Sequence, residues 1–352
     1  GGTAVGRAMQ LADRSWSWVG STPATSYLLD YTPREYADAI GVRIGSEFGG
    51  LLSDPVGRAL YVEQTNLAVI DSGIYWSQIE PERGVFDFGS LDRQLAIAKA
   101  LAQRIRGSAL VFAHATDMLP TWLTQAPLSA ADVQDILVTH VAAIVEHCRG
   151  QVDEWIVVNE PYFAPNREND LFYLALGENY IDLAFQTARR SDPAARLIFN
   201  DTDNHHASGS VELTMSIAQR LRPKGLLDAI GLEMHNKDLP WVPGGIPTAA
   251  DVTATIQSYG MPCLVTEFDY DLSAYPGTQA ERYARQAAVY AWLIGAALDA
   301  GVSEISFWGL DGKDSWLAQT PGADATMFDA AHAPKPAYYA VRELFRQRAG
   351  LG

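Results

Sequence analysis

The chain has 352 residues, of which 48% are hydrophobic, enough for one large globular domain or two smaller ones. Its formal net charge is -16, so a nucleic acid or an anionic membrane is excluded as an expected partner, because a polyanion would be repelled. No apolar run is long enough to span a bilayer, and no signal peptide is visible.

Residues 1–36 show little hydrophobic periodicity, and we expect an N-terminal extension that packs on the main domain of residues 37–350. Near its end, Thr32 is followed by Pro33 and, three positions on, by Glu35. Threonine is a favoured helix cap and proline a favoured first helical residue. The sequence therefore predicts that a short helix begins here.

From residue 42 onward, apolar extended segments alternate with amphipathic helical segments eight times. The predicted strands are Val42-Phe48, Leu67-Tyr75, Ile105-Ala113, Trp155-Glu160, Leu197-Asp201, Ala229-His235, Cys263-Asp269 and Ile305-Leu310. The predicted helices are Leu91-Gln103, Ala130-Cys148, Tyr180-Arg190, Val211-Leu221, Ala250-Tyr259, Gln279-Ala300 and Ala337-Arg346. Eight strand-then-helix units without a hairpin signal predict an α/β fold, a (β/α)8 TIM barrel in a single domain.

A doubly wound open sheet is the alternative fold. Such sheets carry a glycine-rich phosphate-binding turn after the first strand. The segment that follows the first predicted strand, 45–50, contains glycines but neither a G-x-G-x-x-G nor a P-loop pattern. The barrel is therefore the preferred prediction.

The two cysteines, Cys148 and Cys263, lie at the end of a predicted helix and inside a predicted strand. Their number and spacing indicate neither a disulfide framework nor a metal site. We expect two free buried thiols, no metal and no organic cofactor.

The segment Trp155 to Pro161 ends an unbroken apolar run with an amide and a carboxylate, Asn159 and Glu160. A run without alternation is typical of a strand covered on both faces. The C-terminal ends of barrel strands are where catalytic residues lie. Glu160 is therefore a candidate catalytic acid.

The predicted sixth, seventh and eighth strands also end in functional residue types. His235 follows Glu233 on the sixth, Glu267 and Asp269 end the seventh, and Trp308 lies on the eighth. Carboxylates on the fourth and seventh strands face each other across a barrel mouth. Such a pair suits retaining glycoside hydrolysis, in which one carboxylate attacks the anomeric carbon and the other protonates the leaving oxygen.

Glu267 is the better nucleophile candidate, because His235 and Asp269 are expected beside it and a histidine hydrogen bond holds a carboxylate ionised and oriented. Glu160 is then the general acid/base, at the end of an apolar strand and close to a second negative charge. Asn159 is expected to donate a hydrogen bond to the sugar hydroxyl next to the reacting carbon.

The chain resembles glycoside hydrolase family 10, a group composed mostly of endo-β-1,4-xylanases with (β/α)8 barrels and a retaining mechanism. The similar segments run from about residue 40 to 348 and are Glu80 to Phe88, Arg106-Gly107, Leu119 to Trp122, Val158 to Glu160, Phe199 to Asp201, Gly231-Leu232 with His235, Thr266 to Asp269, Phe307 to Gly309, Ser315-Trp316, Phe328-Asp329 and Lys335 to Tyr338. The resemblance implies that Glu160 is the acid/base and Glu267 the nucleophile, and that Trp308 and Trp316 line the cleft where the glycone sugars bind.

The departures from this family concentrate at the second and third strands. Where its xylanases usually have Glu-Asn-Glu-Met-Lys-Trp, this chain has Asp71-Ser72-Gly73-Ile74-Tyr75-Trp76. Two usual histidines of the third strand are Ser108 and Ala113, and His114 follows in a longer loop. On the sixth strand a usual glutamine is Glu233, which would place a third carboxylate beside the pair.

These departures remove hydrogen-bond donors that distinguish one hydroxyl pattern from another. The residues expected to contact substrate are Trp308, Trp316, Asp71, Ser72, Tyr75, Trp76, Ser108, His114 and Glu233. Small residues such as Gly73 and Ser108 can admit a bulkier glycone, or other side chains can fill the space. Xylan is the leading substrate, and another β-glycan or β-glycoside is the alternative.

The sequence therefore predicts a retaining β-glycosidase that acts on a polysaccharide or oligosaccharide as a monomer. A carbohydrate-binding protein without turnover, or an oxidoreductase on the same barrel, is disfavoured by the presence of both glutamates and the absence of a phosphate-binding glycine pattern. A secreted or periplasmic location is expected from the substrate class alone.

Overall fold

The computed structural model describes residues 7–10, 16–19, 31–47, 54–113, 118–162, 168–207, 209–238 and 245–350. Two short segments, Arg7–Gln10 and Trp16–Val19, pair as an antiparallel ribbon. This ribbon was not predicted, because four-residue strands carry too little periodicity to be recognised. The expected packing of residues 1–36 on the barrel falls mostly outside the described residues.

Eight parallel strands form a closed barrel, and each strand pairs with its neighbours in chain order. They are β1 Arg43–Glu47, β2 Leu67–Ile70, β3 Arg104–Val111, β4 Glu154–Asn159, β5 Arg196–Thr202, β6 Ala229–Lys237, β7 Cys263–Asp271 and β8 Glu304–Phe307. The barrel closes because β8 pairs with both β1 and β7. The predicted (β/α)8 barrel is confirmed.

Helices connect the strands on the outside of the barrel. Those in the described residues are α1 Pro33–Ala39, α2 Pro55–Gln64, α3 Trp76–Ile79, α4 Gly89–Ala100, α5 Thr121–Thr124, α6 Ala130–His147, α7 Leu171–Leu176, α8 Asn179–Ser191, α9 Gly209–Leu221, α10 Ala249–Ser258, α11 Gln279–Asp299 and α12 Pro336–Arg348. The predicted start of α1 is confirmed: Thr32 accepts a hydrogen bond from the Glu35 backbone, and the Glu35 carboxylate accepts one from the Thr32 backbone. No helix among the described residues is long and apolar enough to cross a membrane.

The predicted second strand, Leu67-Tyr75, was too long. β2 ends at Ile70, and the chain turns at once, with the Ile74 backbone N–H donating to the Asp71 carbonyl at 3.0 Å. Asp71, Ser72 and Gly73 are turn-forming residues, and their preference outweighed the apolar pattern on either side. The turn directs Asp71 and Tyr75 to the barrel mouth.

A buried ion-pair network joins strands across the interior of the barrel. Arg106 of β3 contacts Glu154 of β4 at 2.6 Å and Glu304 of β8 at 2.7 Å. Since β1 and β2 lie between β3 and β8 in the sheet, the second contact must pass through the barrel. Arg106 and Glu154 are fully buried, and the charges are paired as buried charges must be.

The two cysteines are free and buried, as predicted. Burial raises the pKa of each thiol to about 12. Both thiols are therefore in the unreactive protonated form near neutral pH.

Candidate active site

A cavity of about 820 Å³ lies at the C-terminal ends of the barrel strands. All eight strands contribute to it, with residues from the middle of the strand onward or with those that follow. Its lining consists of Glu47, Asp71, Ser72, Tyr75, Ser108, Ala109, Phe112, Met118, Asn159, Glu160, Thr202, His235, Glu267, Trp308, Gly309, Asp314 and Trp316. This cavity lies at the end of the barrel where the sequence predicts the site.

Glu160 is the first residue after β4, not its last residue as predicted. Its φ is 45°, in the left-handed region that non-glycine residues rarely occupy. Its backbone N–H donates to the Asn200 carbonyl at 3.1 Å, and β4 shifts its register against β5 just before this point. A left-handed glutamate costs about 1–2 kcal/mol, and such strain is commonly found at functional positions.

Asn200, near the end of β5, connects two candidate site residues. Its Nδ2 group donates to Asn159 Oδ1 at 2.7 Å and to Glu233 Oε1 at 2.6 Å, while its own oxygen accepts from Thr266 Oγ1 at 2.5 Å. Because Asn159 is held through its oxygen, its donor group is the end that can reach a hydroxyl in the cavity. The Asn200 hydrogen bond therefore leaves the Asn159 amide N–H group for the donor role that the sequence predicts.

Glu267 is held by the histidine predicted beside it. His235 shares a hydrogen bond of 2.9 Å with Glu267 through Nε2 and one of 2.8 Å with Asp269 through Nδ1. Trp316 Nε1 donates to the same Asp269 oxygen at 2.7 Å. The four side chains form one connected chain from the surface indole to the buried Glu267.

The charges of this group favour an imidazolium at its centre. Burial alone would lower the pKa of His235, but the charges and hydrogen bonds of Asp269 and Glu267 together raise it well above its usual range. For Glu267, burial raises the pKa, whereas the hydrogen bond and positive charge of His235 lower it, and the net direction is upward. The imidazolium therefore provides the main stabilisation of an ionised Glu267 in this buried place.

Glu233, His235 and Glu267 each place one potential ligand atom within 4.8 Å of the others. A metal ligand histidine must offer a lone pair. Both ring nitrogens of His235 are engaged with carboxylates, and its raised pKa keeps both protonated. The chemistry of this cluster is that of an acid–base group, not of a cation site.

The wall formed after β2 and β3 contains the departures from the family pattern. Tyr75 donates its hydroxyl to Asp71 Oδ2 at 2.6 Å, so the residue at the usual lysine position is neutral and paired with a carboxyl group. Burial raises the pKa of Asp71 to about 7, with Glu267 adding to the rise. Ser72 and Ser108 also line this wall, as predicted. Among the described lining residues there is no lysine or arginine.

Gly73 does not enlarge the cavity. A Cβ atom at this position would lie 2.5 Å from Gln94 Nε2, so the Gln94 side chain already occupies the space. Of the two small residues considered, only Ser108 borders the cavity.

The aromatic residues predicted for the cleft are Trp308 and Trp316, and both line the cavity. The Trp316 side chain is prominent at the rim, since the residue is 59% exposed. An exposed indole whose N–H is fixed by Asp269 offers an ordered face for stacking on a sugar ring.

Two predicted contact residues are placed differently. Trp76 is only 4% exposed and lies outside the lining of the large cavity; its ring stacks on His140 and its Nε1 donates to Glu80. Glu233 is fully buried beneath the cavity rather than on its surface. Neither contacts the cavity directly, so these two assignments are not supported. His114 lies outside the described residues.

Sequence reasoning missed Glu47, Thr202 and Asp314, which line the cavity. It also missed the linking position of Asn200, although its segment was noted as similar to the family. Glu47 and Asn200 each stand one residue before the end of a predicted strand, and that position would have found them. Asp314 lies in a loop after β8, where no periodicity marks it.

A closed parallel barrel with two glutamates at the mouth, one of them held by a histidine, defines the class of barrel glycoside hydrolases. Residues 34–344 match the family model described as "Glycosyl hydrolase family 10". The chain belongs to this family and is a glycoside hydrolase.

Similar proteins agree with this assignment. The chain is 28% identical over 333 residues to endo-1,4-beta-xylanase B of Thermotoga neapolitana, a match that covers 91% of this chain and 93% of the relative. It is 30% identical over 299 residues to endo-1,4-beta-xylanase A of Phanerodontia chrysosporium, with 82% and 70% covered. Xylanase 10B of Thermotoga petrophila RKU-1, solved in complex with xylobiose, superposes with a TM-score of 0.82 at 25% identity over 92% of this chain and 99% of that one.

Proposed function

We propose that this protein is a retaining glycoside hydrolase that cleaves β-1,4 bonds within a polysaccharide, with xylan as its leading substrate. The observation that carries the proposal is the joint placement of Glu160 and Glu267 on one cavity, with Glu267 hydrogen-bonded to His235 at 2.9 Å. The proposed roles are Glu160 as acid/base and Glu267 as nucleophile.

In the first step, a carboxylate oxygen of Glu267 attacks the anomeric carbon while the glycosidic C–O bond breaks. Glu160 gives its proton to the departing oxygen, and a covalent glycosyl ester on Glu267 remains. His235 keeps Glu267 ionised and oriented before attack.

In the second step, Glu160 removes a proton from water, and the water oxygen attacks the same anomeric carbon. The ester bond breaks, Glu267 is released as a carboxylate, and Glu160 is again protonated. Two inversions leave the product with the configuration of the substrate. Asn159 donates a hydrogen bond to the neighbouring hydroxyl throughout.

Xylan is the leading substrate because the relatives named above are endo-1,4-beta-xylanases and one similar structure holds xylobiose. A different β-glycan remains the second candidate, supported by a specific observation. The Tyr75 hydroxyl donates to Asp71, and no lysine or arginine is among the described residues of the wall. The charged donors that usually bind the glycone are therefore replaced.

A panel of β-glycans and aryl β-glycosides tests the substrate. We expect short oligosaccharides from xylan, sized by chromatography, and a β-anomer as the first product in a proton NMR time course. An α-anomer as the first product would contradict the retaining mechanism. Better activity on a β-glucan or β-mannan than on xylan would favour the second candidate.

Glu267→Ala tests the nucleophile. We expect turnover to fall by about 10⁴-fold or more, because the covalent step has no substitute. Added azide should restore cleavage of an activated aryl glycoside and give the α-glycosyl azide. A variant that retains most of its activity would contradict the assignment of Glu267.

We also propose that the protein acts outside the cytoplasm. An intact polysaccharide does not cross a membrane, so a hydrolase of the polymer meets its substrate outside the cytoplasm. Immunodetection in culture supernatant and cell fractions of the source organism tests this.

A further inference from the structure

Glu233 is a buried acidic residue with an unusual set of neighbours. It is fully buried on β6, and one of its carboxyl oxygens, Oε1, accepts a hydrogen bond from Asn200 at 2.6 Å. No N–H or hydroxyl group of the described residues donates to the other oxygen, Oε2. An ionised carboxylate would leave that oxygen without a donor in a site closed to water, which is costly.

The charged groups around Glu233 are mostly negative. Glu267 on β7, Glu160 after β4 and Asp201 on β5 face it, and the Glu160 carboxyl group is within hydrogen-bonding contact. His235 on its own strand is the nearby cation, but its two nitrogens are engaged with Glu267 and Asp269. When two carboxyl groups are in contact, one of them must carry a proton, because two ionised carboxylates offer only acceptors and repel each other.

We propose that Glu233 is a protonated carboxylic acid that positions Glu160 by donating a hydrogen bond to it. The inference rests on the proposed role of Glu160 and identifies Glu233 as a positioning residue, since it does not reach the cavity. Burial, followed by the charges of Glu267, Glu160 and Asp201, raises the pKa of Glu233 well above its usual range, in agreement with this geometry.

The Asn200 hydrogen bond determines which oxygen of Glu233 carries the proton. With Oε1 held by the Asn200 donor, Oε2 is the oxygen left to carry the proton. A carboxylic acid fixed in this way has the same pattern as a side-chain amide, one acceptor and one donor. Glu233 thus keeps Glu160 oriented when Glu160 is the charged base of the second step.

Two substitutions separate this role from a purely structural one. Glu233→Met keeps an unbranched side chain of similar length but removes both the proposed donor and the acceptor of the Asn200 hydrogen bond. It should lower kcat/KM by about tenfold to a hundredfold, the usual cost of a hydrogen bond to a charged group. It should also move the alkaline limb of the pH profile upward, because an ionised Glu160 loses its donor. Glu233→Gln restores the donor and should recover most of the lost activity.

The pH profile of Glu233→Gln discriminates between the two protonation states. If Glu233 is neutral, the amide replaces one neutral group by another and both limbs stay where they are in the unmodified enzyme. If Glu233 is ionised, the substitution removes a negative charge beside Glu160 and Glu267, and both limbs move to lower pH. The second outcome would overturn the proposal.

An infrared difference spectrum provides a readout that is independent of activity. At neutral pH, the unmodified protein minus Glu233→Gln should show the carbonyl stretch of a protonated carboxylic acid. A carboxylate band in its place overturns the inference even if the glycosidase assignment stands. Conversely, the acid band in a protein without glycosidase activity would contradict the proposed function, while the protonated state of Glu233 would still stand.

Discussion

Glu160 combines a rare backbone conformation with a position at the cavity. The chain leaves β4 after a shift in register between β4 and β5, and the Asn200 carbonyl accepts the Glu160 N–H at this point. The side chain is therefore directed by the backbone. A fixed backbone limits the positions that the proposed acid can take before substrate binds, and such positioning of a catalytic group lowers the barrier.

Glu160→Ala should separate acid catalysis from the rest of the mechanism. Alanine, like glutamate, carries a Cβ atom, so the strain at φ 45° is unchanged. We expect kcat/KM to fall by about 10²–10⁴-fold on xylo-oligosaccharides, whose leaving groups need a proton. The same quantity on a dinitrophenyl glycoside should change little, because that leaving group departs without one.

The measurement is the ratio of the two losses, with thermal unfolding as the control for folding. Equal losses on both substrates would contradict the assignment of Glu160 as the acid.

At the level of secondary structure, the pairing of β3 with β4 depends on one close approach. Gly107 lies opposite Trp155, and a Cβ atom on Gly107 would lie 2.1 Å from Trp155 Cζ3. The indole is 1% exposed and packed in the main core, so it has no space into which to move. β4, which precedes Glu160, therefore packs against β3 at a position where β3 has no side chain, Gly107.

Gly107→Ala should lower the free energy of unfolding by about 1–3 kcal/mol or more, the range for overpacking. Gly295→Ala is the matched control in α11, where a new Cβ would lie 3.8 Å from Leu344 Cδ1, an ordinary van der Waals contact. Alanine is up to about 1 kcal/mol better than glycine inside a helix, so the control should be neutral or stabilising.

Urea unfolding midpoints of the two variants and the unmodified protein provide the comparison. Similar midpoints for Gly107→Ala and Gly295→Ala would contradict the close packing of β3 on Trp155.

For the whole molecule, charge is the property most relevant to substrate choice. The net charge of -16 is accompanied by a cavity lined with carboxyl groups, among them Glu47, Asp71 and Asp314. A field of one sign repels substrates of the same sign, and salt screens the repulsion. Neutral glycans should therefore be preferred over those substituted with uronic acids.

A salt titration tests this preference. Between roughly 0.01 M and 0.15 M salt, the Debye length falls from about 30 Å to about 8 Å. Over that range kcat/KM should rise several-fold on a uronic-acid-substituted xylan and stay nearly constant on a neutral arabinoxylan. A parallel response of the two substrates would show that charge does not govern the choice.

Much of the fold could be predicted because it depends on local signals. Apolar runs such as Trp155 to Val158 and caps such as Thr32 are encoded by neighbouring residues, and the barrel follows from their eightfold alternation. The candidate site could also be located in outline, since polar residues at strand ends meet at one rim in a parallel barrel. The chain of contacts from Glu267 through His235 to Asp269 was expected on that ground.

The sequence by itself determined the class of fold, the two glutamates and the absence of the family's usual lysine at Tyr75. Only the tertiary structure decided that Tyr75 pairs with Asp71, that Trp76 belongs to the core, and that Glu233 is buried against Asn200. These outcomes depend on distances between residues far apart in the chain, and on which neighbour fills a given space. Periodicity and composition carry no such information, because they describe each strand separately and not what lies across the barrel from it.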